Sequence, residues 1–309
     1  MSKRLTPAIA TTFLSLLTMN LVNAGALAVP NASFEGPPAL FPSPNINSWQ
    51  KTAKPDWYDE GNAQFLWTQL TGVFRNQPPT STNNYIDNCD GLQAMWLFAV
   101  PEVGLFQDYD SLDWNDTVAS HDFNAQYEPG KSYVLTVGVI GTGGNMSEGA
   151  TMALSLYYRD AASNHLAIAT TSLTNVPSVF SNNAHFVDCR VAVPTVKPTD
   201  AWAGQNIGIQ IQSTVSSNLQ GGYWDLDNVR LVSILAPTLI NPIRTNGQFQ
   251  FTAQSEPGLV FEILAGSNLT VPATNWTTLA LITNVTGTIP LIDTDPNFNQ
   301  RFYQARQLP

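Results

Sequence analysis

One ten-residue stretch, Tyr223–Val232, constrains the fold more than any other part of the chain. Its aromatic and β-branched residues alternate with polar ones, which predicts a β-strand. If Val229 and Leu231 face a core, strict alternation places Asp227 on the same side, at the core's edge. A carboxylate in that position needs a metal, a basic group or several N–H donors. Asp227 is therefore the most informative single residue of the sequence.

The rest of the chain up to about residue 235 carries further short strand patterns separated by turn residues. Leu92–Val100 is apolar at both parities, which is typical of a strand buried on both faces. Regular alternation follows in Ser132–Val139, Ala153–Tyr158, Leu166–Thr171, Phe186–Val193 and Ile207–Gln212. Strands at this spacing without a long helical pattern predict a β-sandwich or barrel. The stretch between Gln50 and Tyr127 is the least readable and leaves room for a short helix.

Beyond Pro237 the pattern restarts on a smaller scale. Short alternating segments occur at Gly247–Thr252, Val260–Leu264, Trp276–Leu279 and Arg301–Ala305. About 70 residues suffice for a small, marginally stable sandwich. We therefore expect residues 237–309 to form a second β-domain that leans on the first.

The first 28 residues have the pattern of a signal peptide. Lys3 and Arg4 precede an interrupted apolar run, Ala8–Val22, and small residues at Ala24 and Ala28 offer two cleavage sites. The alternative is an N-terminal membrane anchor, but the run is short and Thr-rich, and no later run is apolar enough to span a bilayer. We expect a mature chain that starts between residues 25 and 29 and is secreted or held at the cell surface.

Export gives the two cysteines, Cys89 and Cys189, a meaning. An even cysteine count in an exported chain favours pairing, so we predict a disulfide between them. Closing a loop of this length would stabilise the fold by about 4–5 kcal/mol on the chain-entropy model. The alternative is two unrelated thiols.

Composition narrows the choice of partners. Charged residues make up only 12% of the chain and the net charge is −10. Nucleic acid and anionic membranes are poor partners, because binding phosphate requires Lys and Arg. Calcium and neutral glycans suit such a surface better.

Signatures of catalysis are absent from the sequence. None of the three histidines lies in a His-Glu-x-x-His motif, and no Gly-x-Ser-x-Gly occurs. Asp225 and Asp227 share a strand face about 7 Å apart, a separation that a glycosidase pair can have. Because any i, i+2 pair on a strand has this spacing, we do not expect an enzyme.

Aromatic side chains in polar, loop-like sequence are candidates for stacking on sugar rings. The best candidates are Trp57, Tyr58, Trp67 and Trp114. The alternative is that these residues belong to the core, where we place Trp49, Trp96 and Trp224.

Residues 29–235 resemble the galactose-binding-like jelly roll of many carbohydrate-binding modules. The resemblance rests on Asn31–Glu35 with Trp49 downstream, and on the closing segment Trp224–Leu231. It implies adjacent first and last strands with a structural calcium between them, here held by Glu35 and Asp227, for which backbone carbonyls would complete the oxygen ligands. The alternative is that Asp227 accepts backbone N–H bonds and Glu35 is solvated.

Residues 237–309 resemble the small fibronectin-III-like or immunoglobulin-like C-terminal modules of exported bacterial proteins. The resemblance rests on Phe261–Leu264, Ser267–Leu269, Trp276, Asp293–Asp295 and Arg301–Tyr303, and it implies a bacterial source. The expected fold is therefore all-β: a jelly-roll β-sandwich followed by a small β-sandwich.

The sequence leads to one functional expectation and two alternatives. We expect a secreted, non-catalytic carbohydrate-binding protein whose partner is a polysaccharide or a cell-surface glycan. A matrix, adhesion or cell-surface structural protein without a defined small ligand is the alternative, and a glycan-active enzyme is the weaker one. Only analogy between folds separates these classes.

Overall fold

The computed structural model describes residues 25–77, 85–246, 248–295 and 300–308. The described residues form no α-helix, only two 3₁₀ turns at Trp67–Gln69 and Ala273–Asn275. In chain order the strands of the first two sheets are β1 Gly25–Leu27, β2 Gln50–Lys51, β3 Thr71–Arg75, β4 Gln93–Phe98, β5 Gly104–Gln107, β6 Lys131–Gly143, β7 Thr151–Arg159, β8 His165–Thr174, β9 Val187–Val193, β10 Gly208–Ser213 and β11 Tyr223–Leu235. Those of the last two sheets are β12 Thr238–Thr245, β13 Gln248–Gln254, β14 Val260–Gly266, β15 Thr277–Thr283, β16 Thr288–Asp293 and β17 Phe302–Gln307.

Two antiparallel sheets form a β-sandwich, as the sequence predicts. The six-stranded sheet has the order β3-β4-β11-β6-β9, and β1 also pairs with β11. The five-stranded sheet has the order β2-β5-β10-β7-β8. Inward-facing residues of both sheets share one core, in which Trp49 and Trp224 are fully buried. The predicted core positions of these two tryptophans are therefore correct.

Strand β11 is the centre of the six-stranded sheet. The alternation between its core-facing and outward-facing residues is interrupted once. The pairing with β6 shifts register between Asp227 and Arg230, and Asn228 lies between them at φ +53°. Such a β-bulge reverses which residues face the core. Trp224 and Leu226 face the core before the bulge, and Val229 and Leu231 face it afterwards.

Because of this bulge, the strict alternation predicted for Tyr223–Val232 is wrong. Asp225 and Asp227 point to the outer face of the sheet, not to the same side as Val229 and Leu231. The sequence carried one local hint, because Asn adopts positive φ more readily than other non-glycine residues.

The N-terminal residues hold a second difference from expectation. The resemblance places the first strand of the jelly roll at Asn31–Glu35, but residues 30–33 form a turn. The first described strand is β1, which lies within the predicted signal peptide. Its register on β11 is Gly25 opposite Ser233 and Leu27 opposite Leu231. Residues 1–24 of the predicted signal peptide lie outside the described residues.

The C-terminal strands form two three-stranded sheets, β12-β13-β16 and β15-β14-β17. They enclose a separate small core that includes Phe251, Phe261 and Ile263. Two hydrogen bonds link this part to the first sandwich: Leu235 N donates to Glu256 Oε1 at 3.3 Å, and Ser132 Oγ donates to Gln307 Oε1 at 3.3 Å. The division into domains at residues 235–237 stays a prediction.

Candidate functional site

A cavity of about 890 Å³ lies on the outer face of the six-stranded sheet. Its walls are rich in aromatic rings: Phe41, Phe65, Phe74, Trp96, Phe98 and Tyr223. Polar groups are interspersed, among them Gln69, Arg75, Thr142, Asn145, Asn183 and Asp225. A mostly apolar cavity of this size with a few polar groups is typical of a small-molecule site.

The cavity floor is built by neighbouring strands at matched positions. Asp225 on β11 lies directly opposite Trp96 on β4, and Tyr223 lies opposite Phe98. On its other side, Trp96 is paired with Gly72 of β3. Because side chains alternate along a strand, these residues share the outer face.

Two glycines make room for the large rings of the cavity floor. A Cβ added at Gly72 would lie 2.2 Å from Cη2 of Trp96, so the indole leans over Gly72 and away from Asp225. A Cβ added at Gly143 would lie 2.5 Å from the ring of Tyr223. In both cases, the ring takes the place of a missing side chain.

Asp225 is the one carboxyl among the described residues that line the cavity. The residue is half-buried, and its Oδ1 is buried without a hydrogen-bond partner in the described part of the chain. Burial raises the pKa of Asp225 from 3.8 to about 8. A carboxyl removed from water without a compensating cation prefers to keep its proton, so Asp225 is an acid at neutral pH.

The second carboxyl of the strand, Asp227, lies outside the cavity and is fully buried. Its Oδ2 accepts the N–H of Asp90 at 2.6 Å, and its Oδ1 accepts the N–H of Asn228 at 2.7 Å. Burial raises the pKa of Asp227 to about 7, although these bonds and one from the Cys89 thiol oppose the shift. One strand thus carries two carboxyls with different surroundings.

Glu35 is held by the same loop. Its Oε1 accepts the N–H groups of Leu92 and Gln93, both at 2.8 Å. A Cβ added at Gly91 would lie 2.5 Å from that oxygen, so the loop closes tightly on the carboxylate. Backbone N–H groups thus meet the need for partners that the sequence raised for Asp227.

These contacts bear on the calcium predicted between Glu35 and Asp227. No group of three or more His, Cys, Asp or Glu side chains able to hold a metal occurs among the described residues. Both carboxylates are satisfied by N–H donors, which occupy lone pairs that a cation would need. The arrangement does not fit a dedicated metal site, and calcium there stays a prediction.

The four predicted sugar-stacking residues do not line this cavity. Trp57, Tyr58 and Trp67 form an edge-to-face cluster with ring centroids 5.0–6.2 Å apart. Within it Trp67 is buried in the core, and its indole N–H donates to Thr52 O at 2.7 Å, while Trp57 is 49% exposed. Trp114 lies apart from them and donates to Asn47 Oδ1 at 2.8 Å.

The predicted disulfide is wrong: Cys89 and Cys189 are both free thiols. Cys189 points into the core between the sheets. Cys89 packs beside a small cluster on the opposite, outer face that includes Ala94, Ile140 and Phe186. The six-stranded sheet therefore separates the two sulfur atoms.

Sequence reasoning missed the cavity although part of its signal was visible. Leu92–Val100 is apolar at both parities, and β4 indeed buries Met95 and Leu97 in the core. The second parity, with Trp96 and Phe98, lines the cavity and does not meet another protein layer. The placement of Trp96 in the core was therefore wrong, because a strand face that lines an apolar cavity has the same composition as a strand face buried in the core.

The fold and this cavity together define a β-sandwich protein with an aromatic cavity on one sheet face. Residues 25–232 match the family described as HpiC1-like, HpiC1 cyclase. Since the match covers more than half of the chain, the protein belongs to the HpiC1-like cyclase family. No curated protein matches the chain.

Several solved structures are similar at low identity. A Stig cyclase, Fisc, from Fischerella sp. TAU, in complex with (3Z)-3-(1-methyl-2-pyrrolidinylidene)-3H-indole, is 19% identical with a TM-score of 0.48, over 69% of this chain and 100% of that one. A second Fischerella sp. TAU cyclase is 20% identical with a TM-score of 0.46, over 67% and 96%. The CBM22-1 xylan-binding domain of Paenibacillus barcinonensis Xyn10C is 12% identical with a TM-score of 0.31, over 63% and 92%. None of these likenesses bears on substrate or chemistry.

The family match overturns the functional expectation. The prediction of a non-catalytic carbohydrate-binding protein is wrong, because the matched family is one of cyclases. Export of the protein stays a prediction. The match does not favour the matrix or adhesion alternative either. The resemblance to carbohydrate-binding modules holds for the β-sandwich fold and no further. Within the described residues, no helix is both long and apolar enough to cross a bilayer.

Proposed function

We propose that the protein cyclises a hydrophobic, polyunsaturated small molecule, and that Asp225 starts the reaction by donating a proton. The observation that carries the proposal is a carboxyl with a pKa of about 8 on the floor of an aromatic cavity. A general acid works best when its pKa lies near the operating pH, which is the condition met here. The family match supports a cyclisation.

The proposed reaction needs only the substrate and one carboxyl. The Asp225 carboxyl transfers its proton to a carbon of a substrate double bond, which leaves a carbocation and a carboxylate. A second double bond attacks the cation, and a carbon–carbon σ bond replaces a π bond. A carbon next to the new cation then returns a proton to Asp225, so the product is an isomer of the substrate and the enzyme is regenerated.

The aromatic walls suit the intermediates of such a reaction. Rings attract cations through their negative faces, by about 0.5–2 kcal/mol each. Trp96 and Tyr223 lie next to Asp225 on the sheet, and Phe98 lies next to Tyr223. The same rings exclude water, which would otherwise trap the cation as an alcohol.

The proposal is tested by a search for a product that has the same mass as the substrate. The protein is incubated with a panel of neutral polyenes and prenylated aromatic compounds, and products are separated by chromatography and detected by mass spectrometry. We expect an isomer of at least one substrate, with one deuterium gained when the reaction runs in D₂O. Asp225→Asn should abolish product formation, while Asp116→Asn, at an exposed loop carboxyl, should leave it unchanged. Equal turnover by Asp225→Asn and the parent protein would exclude Asp225 as the acid.

A further inference from the structure

Thr142, on the cavity wall, has a backbone conformation that its side chain disfavours. Its φ is +67°, and it is the β-branched member of the non-glycine residues with positive φ in the described part of the chain. Branching at Cβ makes this left-handed conformation costly, on the order of 1–3 kcal/mol. Strain of this kind persists only where the surrounding structure enforces it.

A second β-bulge imposes the conformation. Asp225 pairs with Ile140 of β6, whereas Tyr223 pairs with Gly143, so β6 has one residue more than β11 over this interval. Bulges re-aim side chains and are frequent beside active sites. Here the extra residue lies in the segment Gly141–Thr142, directly beside the two cavity residues of β11.

The two flanking glycines fix this bulge. A Cβ added at Gly141 would lie 2.7 Å from Oδ1 of Asn175 and 2.9 Å from Cγ of Phe180, on the core side. A Cβ added at Gly143 would collide with the ring of Tyr223. The chain therefore passes tightly between core and cavity, and Thr142 projects onto the cavity wall.

The Thr142 hydroxyl makes no hydrogen bond to any residue that the structure describes. Thr142 lines the same cavity as Asp225, at the bulge that separates the Ile140–Asp225 pair from the Gly143–Tyr223 pair. A hydroxyl there can both donate and accept a hydrogen bond.

We propose that Thr142 is a substrate-contacting residue whose hydroxyl binds a polar group of the substrate and so fixes its double bonds over Asp225. The proposal deepens the proposed cyclase function. The substrate class becomes an apolar, unsaturated body that carries one hydrogen-bonding group. The strained bulge places that hydroxyl on the same wall as the acid.

A pair of probes that differ by one hydroxyl tests the contact without knowledge of the substrate. Naphthalene and 2-naphthol are titrated into the full protein, and binding is followed by quenching of tryptophan fluorescence. One hydrogen bond is expected to make 2-naphthol bind about three- to tenfold more tightly. Thr142→Val retains the branching and the shape but lacks the hydroxyl, so this preference should disappear while naphthalene affinity is unchanged. Thr142→Ser should retain it.

Two further variants separate contact from packing. Thr142→Gly adopts the observed φ without steric cost, so its melting temperature should equal or exceed that of the parent protein although the preference for 2-naphthol is lost. Ser163→Gly, at φ +64° in an exposed turn far along the chain, is the matched control and should keep the preference.

The outcomes distinguish this inference from the function on which it rests. A preference that survives Thr142→Val but disappears in Asp225→Asn would assign the hydrogen bond to Asp225 and overturn the inference. A melting temperature several degrees lower in Thr142→Gly would make Thr142 a packing residue and overturn it as well. Failure of both probes to bind the parent protein would refute the cavity as an aromatic site, and with it the proposed function.

Discussion

Replacement of Asp225 by Asn should change how the stability of the protein depends on pH. The unfolded chain releases the Asp225 proton near pH 3.8, whereas the folded chain holds it to about pH 8. Between these values the folded state binds more protons, so the contribution of this group to the free energy of unfolding falls as pH rises. Asn carries no charge at any pH and lacks this penalty.

The size of the effect follows from the two pKa values. One pKa unit corresponds to 1.36 kcal/mol, so the interval from 3.8 to about 8 sets an upper limit of about 5–6 kcal/mol. Asp225 is half-buried and, while no substrate fills the cavity, water can screen its charge, so we expect about 2–4 kcal/mol. Relative to the parent protein, Asp225→Asn should gain this stability progressively between pH 4 and pH 8.

Urea unfolding at pH 5, 7 and 9 measures the effect. The parent protein and Asp225→Asn are compared at each pH, and Asp116→Asn serves as the control. The buried carboxyl Asp227, with a pKa near 7, titrates in all three proteins and cancels from the differences. If the difference between parent and Asp225→Asn is the same at pH 5 and pH 9, Asp225 has an ordinary pKa. It could not then be the proton donor at neutral pH.

The other predictions concern the cavity floor, the thiols, the leader and calcium. Gly72→Ala should lower the free energy of unfolding by about 1–3 kcal/mol, because its Cβ would lie 2.2 Å from the Trp96 ring and 2.4 Å from Ser43 O. Urea unfolding measures this change, and unchanged stability would show that the Trp96 ring moves freely. Burial raises the pKa of both thiols, that of Cys189 to about 11. Iodoacetamide should therefore label Cys89 and Cys189 slowly in the native protein and fully after denaturation without reductant. A disulfide-linked peptide in the mass spectrum would contradict this. If the protein is exported, N-terminal sequencing should find Gly25 first, because cleavage after Ala28 would remove β1 from β11; a start at Val29 would contradict this. Because backbone N–H groups already bind the carboxylates of Glu35 and Asp227, EDTA should leave the melting temperature unchanged. A lower melting temperature in EDTA that Asp227→Asn no longer shows would instead establish the calcium predicted there.

The local sequence predicted the architecture well where a simple pattern of residues indicates one type of secondary structure. Alternating short segments indicated an all-β chain, and Ser132–Val139 and Ile207–Gln212 fall in strands β6 and β10. Trp49 and Trp224 are fully buried as expected, whereas Trp96 lines the cavity although its side chain is the same size. The strand predictions depend on the period of the alternation between apolar and polar residues, which can be read directly from the sequence.

The site depended on contacts between distant segments. Asp225 faces the cavity because bulges at Asn228 and Gly141–Thr142 shift the register of β11 against β6. Neither bulge follows from periodicity, since each arises from the pairing between β11 and β6. The bulge at Gly141–Thr142 also needs its two flanking glycines, because a Cβ there would meet Asn175, Phe180 or Tyr223. The raised pKa of Asp225 likewise comes from its burial in the folded protein.

The sequence by itself determined that this chain forms sandwiched sheets with a pair of carboxyls on one strand, because strand periodicity and residue identity are local properties. Only the tertiary structure decided that Asp225 is an acid in an aromatic cavity while Asp227 is held by backbone N–H groups, and that Cys89 and Cys189 lie on opposite faces of a sheet. The physical reason is that desolvation, facing and proximity depend on which distant segments cover a residue.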